Sequence, residues 1–562
     1  MRVLLAYKAH AAGSRDPFTA LLPVGLVSLH GVLGASGHRS QLANLSGLSW
    51  QETGNLLRTY RPELVGISQF THNRAESLRL ARLAKEIDPA CWVVLGGPHA
   101  THAADDLLLS ETAVDAVVLG EAEETLPELV RVLATAGRAG LLQVAGLAYH
   151  DGNEVRYTVA RSPVTDLDRL PLAASRLADS VGVDWHRQLE FIITSRGCPA
   201  ACRFCSSPLF WGKSLRFRSP RSIVDELRFL RDQFGLLYFS IRDDTFTADR
   251  ERAIDFCRLL LAERLFVVWN CQSRVNYVDE ELLGWLKRAG CECVQLGVET
   301  GSPRLLRELG KAIRPEQTIR AADAVRRVGL NLSIYLITGI PGETDLELQE
   351  TLALIERLRP HDGQVSPLVY YPGTSLFNHA VARGDVSPRL FATSSPAAYP
   401  VRHDPFVERA QAVILQKLTS VGDASAYLPR DFRAHKKLLG YCHVTNLLAG
   451  KYYEGRGGLG RALMEYDEIV RQEPDNPWGW LLRGEVAGAA GELELAREAF
   501  ARVTELVPRH APAYAALGEV ARLTGDRLLA ADLFQRALAL DPLEPTARAR
   551  LGGQRTKKSG TR

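Results

Sequence analysis

Long apolar runs are missing from this chain. No stretch of its 562 residues approaches the roughly 20 apolar residues that span a bilayer, so no membrane span is expected. The run "VLLAY" (Val3 to Tyr7) is too short for the core of a cleavable signal peptide and leads straight into polar residues. An excess of charge of one sign is missing too. A formal net charge of +3 gives no reason to expect nucleic acid or an acidic membrane surface as a partner. Cysteine is sparse, at nine residues. These absences point to the cytoplasm, where thiols stay reduced and a disulfide framework is not expected. What remains is an ordinary soluble composition, 46% hydrophobic and 24% charged. At this length it divides into two to four domains.

The chain is expected to be α/β at first and all-α at its end. Residues 1–152 alternate short apolar runs, such as "LVGIS" (Leu64 to Ser68) and "WVVLGG" (Trp92 to Gly97), with amphipathic stretches such as "ESLRLARLAKEI" (Glu76 to Ile87). That alternation predicts a doubly wound, Rossmann-like parallel sheet, with ligands at strand ends that hold Ser68, Gly96, Gly97 and Gly120. A polar, proline-bearing stretch follows, and residues 153–188 read as a linker. Six strand candidates between Glu190 and Tyr370, separated by helical patterns, predict a partial (β/α)6 TIM-like barrel over 189–386, with chemistry at the carboxyl-end loops. Residues 387–442 show no clear period and read as a connecting region. Over 443–551 the sequence repeats. Pro474, Pro508 and Pro542 are 34 residues apart, and Gly484 pairs with Gly518 as Phe500 does with Phe534. A degenerate copy with Gly450 and Tyr466 lies one period earlier. This period resembles tetratricopeptide helix pairs. The basic stretch 552–562 reads as a disordered tail.

Three of the nine cysteines lie together in "TSRGCPAACRFCSS" (Thr194 to Ser207). Cys198, Cys202 and Cys205 follow a predicted strand on a loop with Gly197 and Pro199. Thiolates suit iron–sulfur clusters or zinc. A structural zinc site needs four protein ligands, and no other cysteine supplies a convincing fourth. Three thiolates on one loop can hold three irons of a [4Fe–4S] cluster and leave the fourth iron open. Zinc binding, or plain buried thiols, is the competing reading.

The loop resembles that of the radical S-adenosylmethionine (SAM) superfamily, whose pattern is C-x3-C-x-aromatic-C, with Phe204 in the aromatic place. The resemblance continues in order through "SIRDDTF" (Ser240 to Phe246), "GVETGSPRLLREL" (Gly297 to Leu309), "LITGIPGET" (Leu336 to Thr344) and "YYPGTSLF" (Tyr370 to Phe377). It implies that the open iron chelates SAM, that Asp243 and Asp244 end the strand facing the SAM amino group, and that Glu299 reaches the SAM ribose. Helix capping is the alternative task for these three acids.

The first domain resembles the cobalamin-binding domain that precedes many radical SAM cores. Ser68-Gln69-Phe70 is followed, after 25 residues, by Gly96-Gly97, as in the S-x-L and G-G pattern of such folds. Small residues there would let backbone approach the cofactor's nucleotide tail, although they would equally serve any tight strand–helix turn. His10 stands in "KAHAAG", where cobalamin mutases carry D-x-H-x-x-G with a cobalt-ligating histidine. Lys8 replaces the orienting aspartate, so His10 reads as a loop residue rather than a ligand.

The resemblance implies an enzyme with a [4Fe–4S] cluster, SAM and cobalamin. Its expected activity is methyl transfer to an unactivated carbon, or phosphorus, through a 5′-deoxyadenosyl radical and methylcobalamin. The substrate would be a small molecule, lipid or peptide, free or carrier-bound. Radical cyclisation or rearrangement in tetrapyrrole or natural-product synthesis is the alternative. A tetratricopeptide binding module with a vestigial core is the alternative of another class. An electron donor such as flavodoxin or ferredoxin, and a protein on the repeats, are the expected partners.

Overall fold

The computed structural model describes residues 1–9, 21–152, 154–172, 179–392 and 399–555. His10 lies outside the described residues.

The first sheet has eight strands: β1 (Arg2–Tyr7), β2 (Arg39–Asn44), β3 (Leu64–Ser68), β4 (Trp92–Gly96), β5 (Ala116–Val118), β6 (Leu147–Asp151), β7 (Glu154–Tyr157) and β8 (Ser180–Val181). Their order is β7-β6-β5-β4-β3-β1-β2-β8. All neighbours are parallel except β5–β6 and β6–β7. β1 and β3 are buried almost throughout, as parallel strands covered on both faces must be. The helix Trp50–Tyr60 starts at a Ser49–Glu52 capping box, and Arg74–Ile87 turns Leu78, Leu80, Ala81 and Ala84 inward. From β1 the chain goes to β2 on one side and returns to β3 on the other. That reversal opens a crevice at the carboxyl ends of β1 and β3.

The expected linker is partly sheet. β7 and β8 close opposite edges of the first sheet from within residues 153–188. Edge pairing needs backbone hydrogen bonds and no apolar run, and β7 is almost entirely solvent-facing, so no hydrophobic period announces it.

The second unit follows with β9 (Phe191–Ile192), β10 (Ser195–Arg196), β11 (Arg216–Phe217), β12 (Tyr238–Ile241), β13 (Val268–Ser273), β14 (Cys291–Glu299), β15 (Asn331–Thr338) and β16 (Asp362–Pro367). Six of these run parallel in the order β16-β15-β14-β13-β12-β9, with β9 and β16 unpaired to each other, which makes an open barrel. Its outer face packs Phe239, Trp269, Val294, Leu332 and Ile334 against the helices. The helix Pro405–Ser425, within the expected connecting region, belongs to this core through Ala410, Ile414 and Leu418. It buries about one apolar residue per turn, and its other apolar residues, such as Val413 and Leu415, lie off that stripe and blur the period in the sequence.

A third set of helices completes the chain. His443–Glu454 pairs with Leu459–Gln472, Pro477–Ala490 with Leu493–Leu506, and Ala511–Leu523 with Arg527–Leu540. The 34-residue register has a packing cause. A Cβ on Gly450, Gly484 or Gly518 would stand 2.2, 2.7 and 2.7 Å from the rings of Tyr466, Phe500 and Phe534. The last helix runs to Arg555, past the expected start of the tail at 552. The first pair packs on Val268, and the turns between the helices also meet the barrel unit. Asp475 meets Arg264, the His510 ring nitrogen donates to the Gly235 carbonyl at 2.7 Å, and Asp541 lies 3.4 Å from His186. Gly235 and Arg264 precede β12 and β13, so this contact covers the amino-terminal end of the barrel, opposite the cysteine loop. No helix among the described residues is long and apolar enough to cross a membrane.

Candidate active site

The cysteine loop leaves the barrel after β9 and is closed by the antiparallel β10–β11 pair. Gly197 allows the turn. Its φ is +99°, and a Cβ there would stand 2.3 Å from the Ser214 carbonyl oxygen. The Cys198 amide donates to Gly212, the Arg203 amide to Leu309, and the Leu376 amide to Arg203, so three segments pin the loop. Phe204 packs against the cluster of side chains shared by the two α/β units.

Burial pushes the Cys198 thiol up from its usual range and the Cys205 thiol to about 12. Such thiols ionise when a metal takes the proton's place. The Arg274 guanidinium donates to Cys202 Sγ at 3.6 Å and adds a positive charge at the loop. No group of three His, Cys, Asp or Glu side chains among the described residues is arranged to hold a single metal ion. Three thiols on one loop, without a fourth ligand, fit a cluster with one open iron better than a closed zinc site.

The acids at the strand ends divide by task. Asp243 is buried, and its carboxylate accepts from the Thr194 and Ser195 amides at 2.6 and 3.0 Å and from both their hydroxyls. Four donors occupy its lone-pair sites, so Asp243 fixes the strand end before the cysteines and does not face a ligand, contrary to expectation. Asp244 is solvent-exposed and accepts from the Ser207 hydroxyl just beyond Cys205. The protein crowded around it pushes its carboxyl pKa up, first through desolvation and then through Asp243. Glu299 has φ +67° at the end of β14, next to a register shift. Among the described residues, the other non-glycine positions with positive φ are arginines at helix ends or in turns, and Glu299 is the one on a strand. A bulge with a strained residue re-aims a side chain, and here it brings Glu299 to Lys311 in a buried ion pair.

In the first unit, Ser68, Gly96, Gly97 and Gly120 come together around one cavity of about 280 Å³. Its other walls are mostly apolar, with Leu5, Leu26, Leu29, Val94 and Leu126, and Glu121 and Glu123 stand at one side. A Cβ on Gly97 would stand 2.8 Å from the Gln69 carbonyl oxygen, whereas around Gly120 nothing lies within 4 Å. Gly97 thus lets its turn close onto the end of the neighbouring strand, and Gly120 faces open space. Backbone lines the cavity where a flat heterocycle would slide in, which fits the tail of a cobalamin.

The two sites share a wall. Phe210 and Trp211, just after the cysteines, line the slot of the first unit. Arg196, just before them, donates to Glu121 at 2.7 Å and to Glu123, which follow Gly120. Arg216 adds a second cation at Glu121, and the Arg196 guanidinium stacks on Trp211 at 4.9 Å. All four charged side chains are at least nine-tenths buried. The cysteine motif shows Arg196, but nothing in the sequence links it to acids more than 70 residues earlier. Arg274 and Lys311 were also missed, since neither stands inside a motif.

Two family models match the chain: the radical SAM superfamily over residues 192–355 and the B12 binding domain over residues 19–130. The chain is 34% identical over 339 residues to an uncharacterized methyltransferase of Pyrococcus horikoshii, covering 60% of this chain and 73% of that one. It belongs to the radical SAM superfamily. More narrowly, it is a radical SAM enzyme with a B12-binding domain, and its cofactors are a [4Fe–4S] cluster, SAM and cobalamin. It is also 30% identical over 388 residues to the anaerobic magnesium-protoporphyrin IX monomethyl ester cyclase of Rubrivivax gelatinosus, covering 67% and 69% of the two chains. The radical SAM methyltransferase TsrM of Kitasatospora setae, with cobalamin and a [4Fe–4S] cluster bound, shares the fold. Its TM-score is 0.61 at 17% identity, over 84% of this chain and 99% of that one.

Proposed function

We propose that this radical SAM protein is a methyltransferase acting on an unactivated carbon, or phosphorus, centre. The observation that carries the reading is the shared wall: the cobalamin slot and the cysteine loop are clasped by Arg196, Glu121 and Glu123 and meet at Trp211. When bound, the cluster and cobalamin supply one-electron cleavage of SAM and a methyl carrier. The chain's own work is positioning. Cys198, Cys202 and Cys205 hold the cluster, with Arg274 beside Cys202. Asp243 fixes the strand end that sets the loop. Asp244 and Glu299 take the polar groups of SAM, with Lys311 holding Glu299. Ser68, Gly96, Gly97 and Gly120 admit the cobalamin tail.

The electron comes from outside, from a donor such as flavodoxin or ferredoxin. The unpaired state of all nine cysteines supports a reducing compartment such as the cytoplasm. Helical repeats of this kind offer a surface for a protein or a carrier-bound substrate. The cyclase relative makes ring formation the second reading.

Anaerobic incubation with reductant, cobalamin, methyl-labelled SAM and a cell extract separates the two. Methyl transfer gives S-adenosylhomocysteine and 5′-deoxyadenosine in near-equal amounts, with label in the product. Deoxyadenosine without matching adenosylhomocysteine or label would favour the cyclase.

A further inference from the structure

The interior of the barrel is hollow, and the strands that wall it turn polar side chains inward. Parallel barrels are ordinarily filled by layers of branched apolar side chains. Here a cavity of about 670 Å³ runs along the inner face of β12 to β16, where Ser240, Asn270, Gln272, Gln295, Tyr335 and Gln364 point inward. From the first unit, Tyr7, Phe70 and His72 at the carboxyl ends of β1 and β3 reach the same space. It therefore lies at the crevice beside the cobalamin slot, which Phe70 also lines. The volume suits a small-molecule substrate.

The inward side chains are preorganised. Ser240 donates to Asn270 at 2.8 Å, and Asn270 donates to Tyr238 at 2.7 Å. Gln272 donates to the Tyr335 hydroxyl at 3.3 Å, which donates to Gln295 at 2.8 Å. These bonds fix each group and leave capacity unused. The Gln295 amide nitrogen and the whole Gln364 amide have no protein partner among the described residues. An apolar ring system or a lipid chain in this space would strip water from those groups and return no hydrogen bond. Hydroxyls and amides would satisfy them, because a primary amide both donates and accepts. Glu190, Arg242 and Asp362 add charged groups to the lining, and the opposite side, with Leu22, Val24, Phe70 and Phe191, supplies apolar surface for the flat face of such a molecule.

We infer that the substrate is a water-soluble small molecule rich in hydroxyl or amide groups, bound in the barrel by Gln272, Gln295 and Gln364, and neither a lipid nor a porphyrin-type macrocycle. This rests on the methyltransferase reading for the fate of the substrate, but not for its polarity.

The test uses the full chain, reconstituted anaerobically with iron, sulfide and cobalamin. An extract of the host cells is partitioned between aqueous methanol and chloroform. Each phase is added with reductant and methyl-labelled SAM, and 5′-deoxyadenosine and label are measured. The aqueous phase should stimulate deoxyadenosine release, and label should stay in that phase. A Gln272→Leu, Gln295→Leu double variant, its folding checked by cluster absorbance, should need about tenfold more aqueous extract for half-maximal stimulation. Stimulation by the chloroform phase instead, or a double variant with the wild-type response, would overturn the inference. Stimulation by the aqueous phase without labelled product would overturn methyl transfer and leave the polarity of the substrate standing.

Discussion

Two cavities meet at the boundary between the first unit and the barrel, and they recognise ligands by opposite means. The slot in the first unit is mostly apolar and is shaped by what it lacks: side chains at Gly96, Gly97 and Gly120. On its strand side the barrel chamber is walled by amides and hydroxyls held in a hydrogen-bonded network, with Glu190, Arg242 and Asp362 among them. A slot of the first kind selects by shape and backbone approach. A chamber of the second kind selects by leaving wrong partners with unsatisfied polar groups. One suits a cofactor whose identity is constant, and the other a substrate that sets specificity. Between them stands a buried charge lock that belongs to both units.

The comparison breaks first at the cysteines. Replacing Cys198, Cys202 or Cys205 by Ala should abolish cluster binding and SAM cleavage while cobalamin binding survives, as read from iron and sulfide content, deoxyadenosine release and cobalamin absorbance. A full cluster signal with SAM cleavage in any of the three would remove the loop from the mechanism.

Arg196→Ala strikes the lock itself. It leaves Glu123 buried without a cation, and breaking such a pair costs about 3 kcal/mol or more. The melting temperature should drop, and cobalamin affinity and cluster retention should fall together. Arg196→Lys, which keeps the charge and loses the fork, should lie between. Loss of one cofactor with the other untouched would show that the lock does not join the sites.

Gly97→Ala sharpens the contrast from the side of the slot. Its new methyl would press on the Gln69 carbonyl at a backbone φ of +97°. Cobalamin binding should weaken by about tenfold or more while the cluster stays intact. Unchanged cobalamin affinity would separate the glycine pattern from the cofactor.

The smallest effect concerns pH in the chamber. Burial, then Asp184, raises Glu190 from 4.5 to about 7. A raised folded-state pKa makes this carboxyl most favourable to stability below about 4.5, and that contribution is lost as pH rises through about 7. Glu190→Gln should therefore flatten the fall in melting temperature between those two values. An unaltered profile would assign that fall to other groups.

Short-range patterns were legible in the sequence, and long-range ones were not. The cysteine loop, the strand ends and the 34-residue register all lie within contiguous segments, so spacing alone revealed them. Asp243 was visible as a strand-end acid, but its four donors from Thr194 and Ser195 are set by the pairing of β9 with β12. The Arg196 lock depends on two units packing together. The helix Pro405–Ser425 joined the barrel through a stripe one residue wide. The polar chamber was hidden because period-two alternation in β13 and β15 shows which residues share a face, not that the face surrounds a space.

The central claim is that hydrogen leaves the substrate and a methyl group replaces it. Its most direct test is to supply unlabelled SAM, reductant and cobalamin to the reconstituted protein with an extract of host cells grown in deuterated water. The account predicts 5′-deoxyadenosine carrying a single deuterium, matched by an equal amount of S-adenosylhomocysteine. Deoxyadenosine without deuterium, or deuterated deoxyadenosine without adenosylhomocysteine, would contradict it.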